Sequence, residues 1–395
     1  MDIYKRALDL TDEIISHRRY IHQNAEVGKR LPKTSAYVAE FLDSLGIGWK
    51  QCGCGITATV GEGYNTVLLR ADMDALPMKE ESGETFSSSS DCAAHTCGHD
   101  LHCAMLLGAA RILSEIKNEL CGSVKLMFQP AEEPLTGCFD MISSGLLRGP
   151  APSAAFAVHV GAGKLTPGVF MYNADSVMML SADTFRIDIT GHGGHAAYPH
   201  MTVDPLRIAC NIYSFLESLT AGECDPASRA FVTVGMLNGG NVGNVIPGTA
   251  CIEGSVRTDS AKEREKLKLR IAECSKTIAE MLGGSARVSF KAGVPPMICD
   301  KDLTEKAISY MQELSVPWRK AISGISVSAS DDFALIAEKI PSAYIYLSAG
   351  FDDRRGACLA HDPRVRFNED VCPVGAAVYA QLAVRYLEDS MRKSC

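Results

Sequence analysis

The chain has 395 residues, 46% of them hydrophobic, and 39 basic against 47 acidic residues give it a net charge of −8. This length can bury a substantial core and favours two domains, while the acidic balance argues against a nucleic-acid-binding surface. No run approaches the roughly 18 apolar residues of a membrane span, and the charged opening lacks the apolar segment of a signal peptide. We therefore expect a cytoplasmic protein that binds neither nucleic acid nor membranes, with most of its 15 cysteines reduced and buried.

The first part of the chain alternates helical and strand patterns, which is typical of an α/β domain with a largely parallel sheet. Apolar spacing predicts helices over 2–22, 35–45 and 101–116, and strands over 56–60, 66–70, 123–129 and 154–159. The third of these strands would deliver Glu132 and Glu133 at its C-terminal end, and the fourth ends at His159. Open α/β sheets place their sites at such strand ends.

The pattern changes near residue 180. Residues 184–190 alternate apolar and polar side chains, as a half-solvated strand does. Next come a helix over 204–219, strands over 230–237 and 250–257, a helix over 261–282 and a strand over 286–291. This is the element order of a ferredoxin-like α+β module. The α/β pattern then resumes, with helices over 302–315, 331–338 and 373–392 and a strand over 343–348. A smaller domain therefore interrupts a larger one.

A group of metal-binding side chains is the chemical signal of this chain. A thiolate and an imidazole two residues apart, Cys97 and His99, are good ligands for a borderline-soft divalent metal. The adjacent carboxylates Glu132 and Glu133 can divide their work, one binding metal and the other moving protons. The candidate ligands are three histidines, one cysteine and one of the two glutamates: Cys97, His99, Glu132 or Glu133, His159 and His361. They are too few for two closed structural sites, so they favour an open centre that activates water. Each alone could be a packed core residue.

Eight short motifs, spread almost from end to end, follow one another in a characteristic order. They are HQNAE at 22–26, RADMDALP at 70–77, CGHDLH at 97–102, MLLGAA at 105–110, QPAEE at 129–133, GHGGHAA at 191–197, NVIP at 244–247 and SDDF at 330–333. In this set the chain resembles the M20 metallopeptidase family. Within that family it is similar to the amidohydrolase branch that includes hippurate hydrolases, N-acetyl-diaminopimelate deacetylases and plant auxin-conjugate hydrolases.

The resemblance implies a fold and a domain division. It implies an α/β protein whose phosphorylase/hydrolase-like catalytic domain, 1–180 and 294–395, is interrupted by an inserted ferredoxin-like lid or dimerisation domain over 181–293. It also implies a homodimer formed through the insert.

The resemblance also assigns roles to residues. It implies two divalent metal ions per subunit, zinc or manganese in the first place and cobalt or nickel as alternatives, held by the following ligands: Cys97, His99, Glu133, His159 and His361. Glu132 falls on the general base of the family. His195 falls on a histidine that is expected to reach the active site of the partner subunit, where it can donate to the oxyanion. Asn244 and Arg257 lie in the same insert and are candidates to bind a substrate carboxylate, since a guanidinium matches that group bidentately; a structural role for both remains open. Residues of the Asp72-to-Asp74 stretch would orient ligands or cap a turn, and a turn-capping role for His195 remains open.

These expectations combine into a dinuclear metal-dependent amidohydrolase that cleaves N-acyl amino acids to a carboxylic acid and a free amino acid. A dipeptidase or aminopeptidase of the same family is the first alternative, and a non-catalytic metal-binding protein on the same fold is the second. The acyl group and the amino acid are not readable from sequence patterns, because the shape of the pocket selects them.

Overall fold

The computed structural model of the chain describes residues 1–291, 293–314 and 320–394. Its α-helices are α1 (Ile3–Asp9), α2 (Thr11–Gln23), α3 (Pro32–Ser44), α4 (His99–Glu115), α5 (Gly137–Ser143), α6 (Pro205–Glu223), α7 (Ala261–Met281), α8 (Lys301–Gln312), α9 (Ala334–Ala337) and α10 (Cys372–Ser394). Within those described ranges, no helix combines the length and the apolar character that crossing a membrane requires.

The strands are short in the first third of the chain and longest between residues 183 and 258. They are β1 (Trp49–Cys52), β2 (Gly55–Gly61), β3 (Thr66–Asp72), β4 (Ser123–Gln129), β5 (Ala154–Gly161), β6 (Val169–Met171), β7 (Val177–Met179), β8 (Asp183–Thr190), β9 (Gly194–His195), β10 (Ala230–Gly239), β11 (Val245–Ile246), β12 (Thr249–Thr258), β13 (Ser285–Phe290), β14 (Met297–Ile298), β15 (Lys320–Ile322) and β16 (Ser342–Ser348).

The chain divides into two compact units. The first unit comprises Met1–Met178, Ile298–Ser326 and Asp331–Cys395, and the second unit comprises Met179–Met297 and Val327–Ser330.

The first unit is built on an eight-stranded sheet with the order β1-β2-β4-β3-β5-β16-β6-β15. Its four central strands, β4, β3, β5 and β16, run parallel, while β2 and β6 pair antiparallel on either side of them. The central strands are buried on both faces, as parallel strands covered by helices are. The predicted α/β fold with a largely parallel sheet is therefore confirmed.

Helix α4 is the central helix of this unit, and its residues from His99 to Ala110 are all buried. The helix begins after Gly98, whose φ of +89° is unfavourable for any residue with a Cβ. A Cβ at this position would also lie 2.4 Å from Val160 Cγ2, so only glycine allows the turn to pack against the end of β5. The turn thereby holds Cys97 and His99 beside His159.

The second unit has a four-stranded antiparallel sheet with the order β10-β12-β8-β13. Helices α6 and α7 and the inward side chains of these strands form its core. Strand β8 alternates between buried and more exposed residues, which confirms the half-solvated strand that its sequence predicts.

Two element predictions were wrong in detail. The continuous helix over 2–22 is broken at Leu10, where α1 ends and α2 begins with acidic residues in its first turn. The helix over 331–338 is reduced to α9, because Asp331 accepts the backbone amide of Phe333 and so forms a turn in place of a helical start. The last residue of the helix predicted over 302–315 lies outside the described residues.

Candidate metal centre

The predicted ligands gather where the central parallel strands of the first unit end. The two glutamates follow β4, His159 lies near the end of β5, and Cys97 and His99 flank the turn that opens α4. His361 comes from the loop that follows β16 and has a left-handed backbone with φ of +70°. Five ligands from four separate segments are thus brought together, as the sequence predicted.

These side chains form two overlapping groups that share one sulfur. Ligand atoms of Cys97, His99 and His159 lie within 4.8 Å of one another, and so do those of Cys97, Glu133 and His361. The Cys97 Sγ to His159 Nε2 distance is 3.8 Å, and His361 Nε2 lies 3.5 Å from Glu133 Oε1. Such an arrangement could hold two divalent cations, with Cys97 common to both groups of ligands.

Hydrogen bonds to backbone carbonyls orient two of the histidine rings. His99 Nδ1 donates to the carbonyl of Asp74 at 2.8 Å, and His159 Nδ1 donates to the carbonyl of Val160 at 2.8 Å. Because a carbonyl can only accept, each Nδ1 carries a hydrogen, and Nε2 is the ring nitrogen that can bind a metal when it carries none. His99 Nε2 and Glu133 Oε1 are buried without a hydrogen-bond partner in the described part of the chain. Both unpaired atoms fit a metal ion.

The carboxylate of Asp74 binds the backbone of both glutamates. Its Oδ1 accepts the backbone amide of Glu132 at 3.0 Å, and its Oδ2 accepts that of Glu133 at 3.2 Å. These hydrogen bonds hold the turn after β4, in which Ala131 has a positive φ of 57°. The two roles predicted for Asp74, orienting ligands and capping a turn, both remain open.

Asp72 supports the centre through a second histidine. Its Oδ1 accepts from His102 Nδ1 at 2.5 Å, and its Oδ2 accepts from Arg70 Nη1 at 2.6 Å. His102 Nε2 in turn accepts the backbone amide of Val160 at 2.7 Å, which fixes its tautomer. Burial lowers the pKa of His102, so this ring is a neutral hydrogen-bonding link between the ends of β3 and β5.

Glu132 is 6% exposed and lies near two further carboxylates. One oxygen each of Glu132, Asp331 and Asp332 lie within 4.8 Å of one another. Burial and the charge of Asp331 raise the pKa of Glu132 well above its usual value, and His99 opposes the shift. Arg70 donates to Asp331 at 2.9 Å and compensates part of this negative charge. A carboxyl with a raised pKa can hold a proton as well as accept one.

The thiol at the centre is protonated when no cation compensates its burial. Burial raises the pKa of Cys97 to about 12, although His99 lowers it. Burial likewise raises the pKa of Glu133. A bound divalent cation favours the deprotonated forms of both groups, so metal binding here releases protons.

The remaining predicted site residues belong to the second unit. His195, on β9, pairs with Val245 on β11, and the carbonyl of Asn244 accepts the amide of Ala196 at 3.1 Å. His195 and Asn244 are therefore brought together. His195 Nδ1 accepts the amide of Ala197 at 3.1 Å, which leaves its Nε2 to carry the hydrogen.

Arg257, the third predicted residue in this unit, is on β12. Its Nη1 donates to the hydroxyl of Ser330 at 2.7 Å. The roles of all three residues remain predictions.

Sequence reasoning gave no role to Asp100, which the structure places in a buried ion network. Asp100 Oδ2 accepts from Arg18 Nε at 3.1 Å and from His22 Nδ1 at 2.9 Å. His22 also contacts Glu80 at 3.1 Å. The spacing of Arg18 and His22 was the available signal, since residues four apart lie on one helical face. The network anchors the first turn of α4 to α2.

Known proteins resemble this chain in sequence. The sequence model of peptidase family M20/M25/M40 matches residues 68–385. The chain is 35% identical over 397 residues to IAA-amino acid hydrolase ILR1-like 2 of Arabidopsis thaliana, covering 99% of this chain and 89% of that relative. It is 33% identical over 355 residues to N-acetyl-L-cysteine deacetylase of Bacillus subtilis (strain 168), covering 87% and 82%.

Solved structures match over both units. A protein from methicillin resistant Staphylococcus aureus superposes with a TM-score of 0.91 at 28% identity, covering 98% of this chain and 100% of that one. The YXEP protein of Bacillus subtilis, described as a dinuclear metal binding peptidase, superposes with a TM-score of 0.80 at 28% identity, covering 96% and 99%.

Proposed function

We propose that this chain, which belongs to peptidase family M20/M25/M40, hydrolyses the amide bond of N-acyl amino acids to a carboxylic acid and a free amino acid. The family membership and the metal-dependent hydrolase activity that the sequence predicted are confirmed by the family match and by the named hydrolase and deacetylase relatives. One observation carries the proposal: two groups of predicted ligands share Cys97, and a carboxylate oxygen of Glu132, which is in neither group, lies within 4.8 Å of ligand atoms of His99 and Glu133.

The residues divide the reaction between them. Divalent cations bound by the two groups would polarise the amide carbonyl and acidify water. Glu132 accepts the proton of the attacking water and returns it to the amine, which is too basic to leave without it. Asp74 fixes the turn that carries Glu132 and Glu133, because each of its oxygens accepts one of their backbone amides. The base and the predicted ligand are therefore held on the same turn.

The donor set also bears on the identity of the two ions. A thiolate favours softer cations, and a site with imidazole and carboxylate ligands accepts several first-row metals. We expect zinc or manganese, with cobalt or nickel as substitutes.

The second unit supports the inserted domain that the sequence predicted over 181–293, between catalytic segments 1–180 and 294–395. Strands β8, β10, β12 and β13 with α6 and α7 follow the order of a ferredoxin-like module. Strand β10, ten residues long, lies at an edge of its sheet. An unpaired edge of this length suits pairing with a second copy, and we expect a homodimer through this domain.

Three residues of the second unit complete the proposal. His195 would donate to the oxyanion of the reacting amide in the partner subunit, and Asn244 and Arg257 would bind the substrate carboxylate. In support, His195 is exposed and Nε2 of its neutral ring carries the hydrogen. The 14 cysteines among the described residues are all free, which fits our expectation of a reducing, cytoplasmic location.

A peptidase is the main alternative, because the YXEP protein is described as one. A dipeptidase or aminopeptidase must bind a free α-amine, whereas an acylase must not require it. Rates on N-acetyl, benzoyl and indoleacetyl amino acids against dipeptides would distinguish the two. Faster hydrolysis of dipeptides would overturn the acylase proposal.

The experiment that tests the proposal is Glu132→Gln together with metal quantification on protein purified without chelators. We expect two equivalents of metal in both proteins and a loss of kcat by about 10²–10⁴-fold in the variant. Glu119→Gln, at an exposed position, is the matched control and should change neither quantity. A metal-loaded wild type that turns over no amide would favour the non-catalytic metal-binding alternative. A single equivalent would indicate a mononuclear centre, in which one of the two residues His159 and His361 is not a ligand.

A further inference from the structure

Strand β16 brings a tyrosine beside the metal centre that the reaction outlined above does not use. In the parallel pairing of β16 with β5, Tyr346 lies directly opposite His159. The two rings meet edge to face with centroids 5.2 Å apart. The ligand and the tyrosine therefore project from the same face of the sheet.

Partly exposed side chains occur at the same position on both strands. Of the seven residues of β16, all are buried except Tyr346, which is partly exposed. On β5, His159 is partly exposed while the five residues before it are buried. An opening therefore reaches the sheet where Tyr346 and His159 lie side by side.

The groups around the tyrosine are those of the reaction. Asp331, Cys97 and Glu132 are near enough to its hydroxyl to influence its pKa. An amide whose hydrolysis Glu132 assists would therefore lie close to Tyr346.

The neighbouring Tyr344 has its hydroxyl hydrogen committed elsewhere. Tyr344 donates that hydrogen to Asp331 Oδ2 at 2.8 Å, and its ring lies 5.5 Å from the ring of Tyr346, centroid to centroid. Of these two phenols, Tyr346 is therefore the candidate donor to a substrate. An oxyanion is a strong acceptor for such a hydrogen.

We propose that Tyr346 is a catalytic residue that donates a hydrogen bond to the carbonyl oxygen of the substrate as it becomes an oxyanion. The inference rests on the proposed hydrolysis of N-acyl amino acids and supplies a donor from the first unit, in addition to the one expected from His195. A phenol carries its hydrogen at neutral pH, since its ordinary pKa is near 10.

The test is Tyr346→Phe, which removes one oxygen and keeps the ring against His159. We expect kcat to fall by about 100-fold, the low end for loss of one oxyanion donor, with KM and metal content unchanged. A tetrahedral phosphonate analogue of an N-acyl amino acid should bind more weakly by a similar factor in calorimetry, whereas the free amino acid product should bind as before.

Tyr386→Phe is the matched control. Its hydroxyl pairs with Ser153 at 2.9 Å, just before the opposite end of β5, so its loss leaves the site untouched. A Tyr346→Phe enzyme with wild-type kcat and analogue affinity would overturn the inference. A change in KM alone would mean that Tyr346 only contacts the bound substrate, and loss of metal would mean that it only supports the packing of the site. Either outcome would also overturn the inference. Wild-type protein without turnover or analogue binding would instead overturn the proposed function, and this inference with it.

Discussion

The proposed metal centre and the residues of the second unit that are predicted to bind substrate are held in different ways. His99 is fully buried, and a backbone carbonyl fixes its ring. His195 is exposed on a two-residue strand, and its ring accepts the amide of Ala197 two positions along the chain. Groups that bind metal must keep their geometry within a narrow range, so they are fixed before the ligand arrives. Groups that meet the substrate can lie on exposed loops and become ordered when it binds.

His361 is the ligand that least fits this contrast. Its side chain is 53% exposed, and its backbone is left-handed. Its group with Cys97 and Glu133 is therefore held less firmly than the group of Cys97, His99 and His159. Cys97 is common to both groups, so its replacement should disrupt metal binding more than replacement of any other predicted ligand.

The largest effect is expected for Cys97→Ala. Loss of the shared sulfur removes a ligand from both groups, so metal content should fall from two equivalents toward none and turnover should fall below detection. Elemental analysis after gel filtration measures the first quantity, and hydrolysis of N-acyl amino acids measures the second. Cys103→Ala, at a buried core position of α4, is the matched control and should keep both metals. A Cys97 variant with two bound equivalents would contradict the bridging arrangement.

A smaller effect is expected for His195→Ala, which tests the other side of the comparison. Because this ring is exposed and far in sequence from the ligands, metal content and melting temperature should not change. If His195 donates to the oxyanion, kcat should fall by about 100-fold. His200→Ala, at another exposed histidine of the second unit, should leave kcat unchanged. Equal activities of the two variants would assign His195 to the turn-capping role.

The site was more predictable from sequence than the details of the fold. Cys97, His99 and the two glutamates stand in short motifs, and motif spacing survives any error in element boundaries. The turn at Leu10 lacks a glycine or proline to mark it, so 2–22 reads as one helix. At Asp331 the side chain bonds to the backbone of Phe333 and diverts the chain from helix. Apolar spacing cannot register such a bond.

Contacts between distant strands were also beyond sequence reasoning. Tyr346 stands beside His159 only because β16 follows β5 in the sheet, in a register that aligns these two residues. The sequence predicts both strands, but strand order and register depend on packing of the whole unit. The network of Asp100 with Arg18 and His22 was hidden for the same reason, since Asp100 lies 82 positions from Arg18 and 78 from His22.

The smallest effect is expected when the network of Asp100, Arg18 and His22 is disrupted, and this effect on stability should depend on pH. Burial lowers the pKa of His22, but Asp100 and Glu80 outweigh it and raise the pKa to about 9. A raised pKa means that protonation of His22 favours the folded state. Its contribution is complete below the unfolded value near 6.5 and disappears as pH rises through about 9. The melting temperature of His22→Gln should therefore lie several degrees below that of the wild type near neutral pH. It should approach the wild-type value as the pH rises above about 9.

His17, one turn earlier on α2, supplies the opposite control. Burial lowers its pKa to about 4, and its Nδ1 pairs with the Tyr37 hydroxyl at 2.8 Å. Its contribution is complete above the unfolded value near 6.5 and is lost as pH falls through about 4. The difference between wild type and His17→Gln should therefore shrink toward acid, while that for His22→Gln shrinks toward base. Thermal melts of the metal-loaded proteins across this range measure both trends, and a pH-independent His22 difference would mean that this ring stabilises α4 by packing and neutral hydrogen bonds alone.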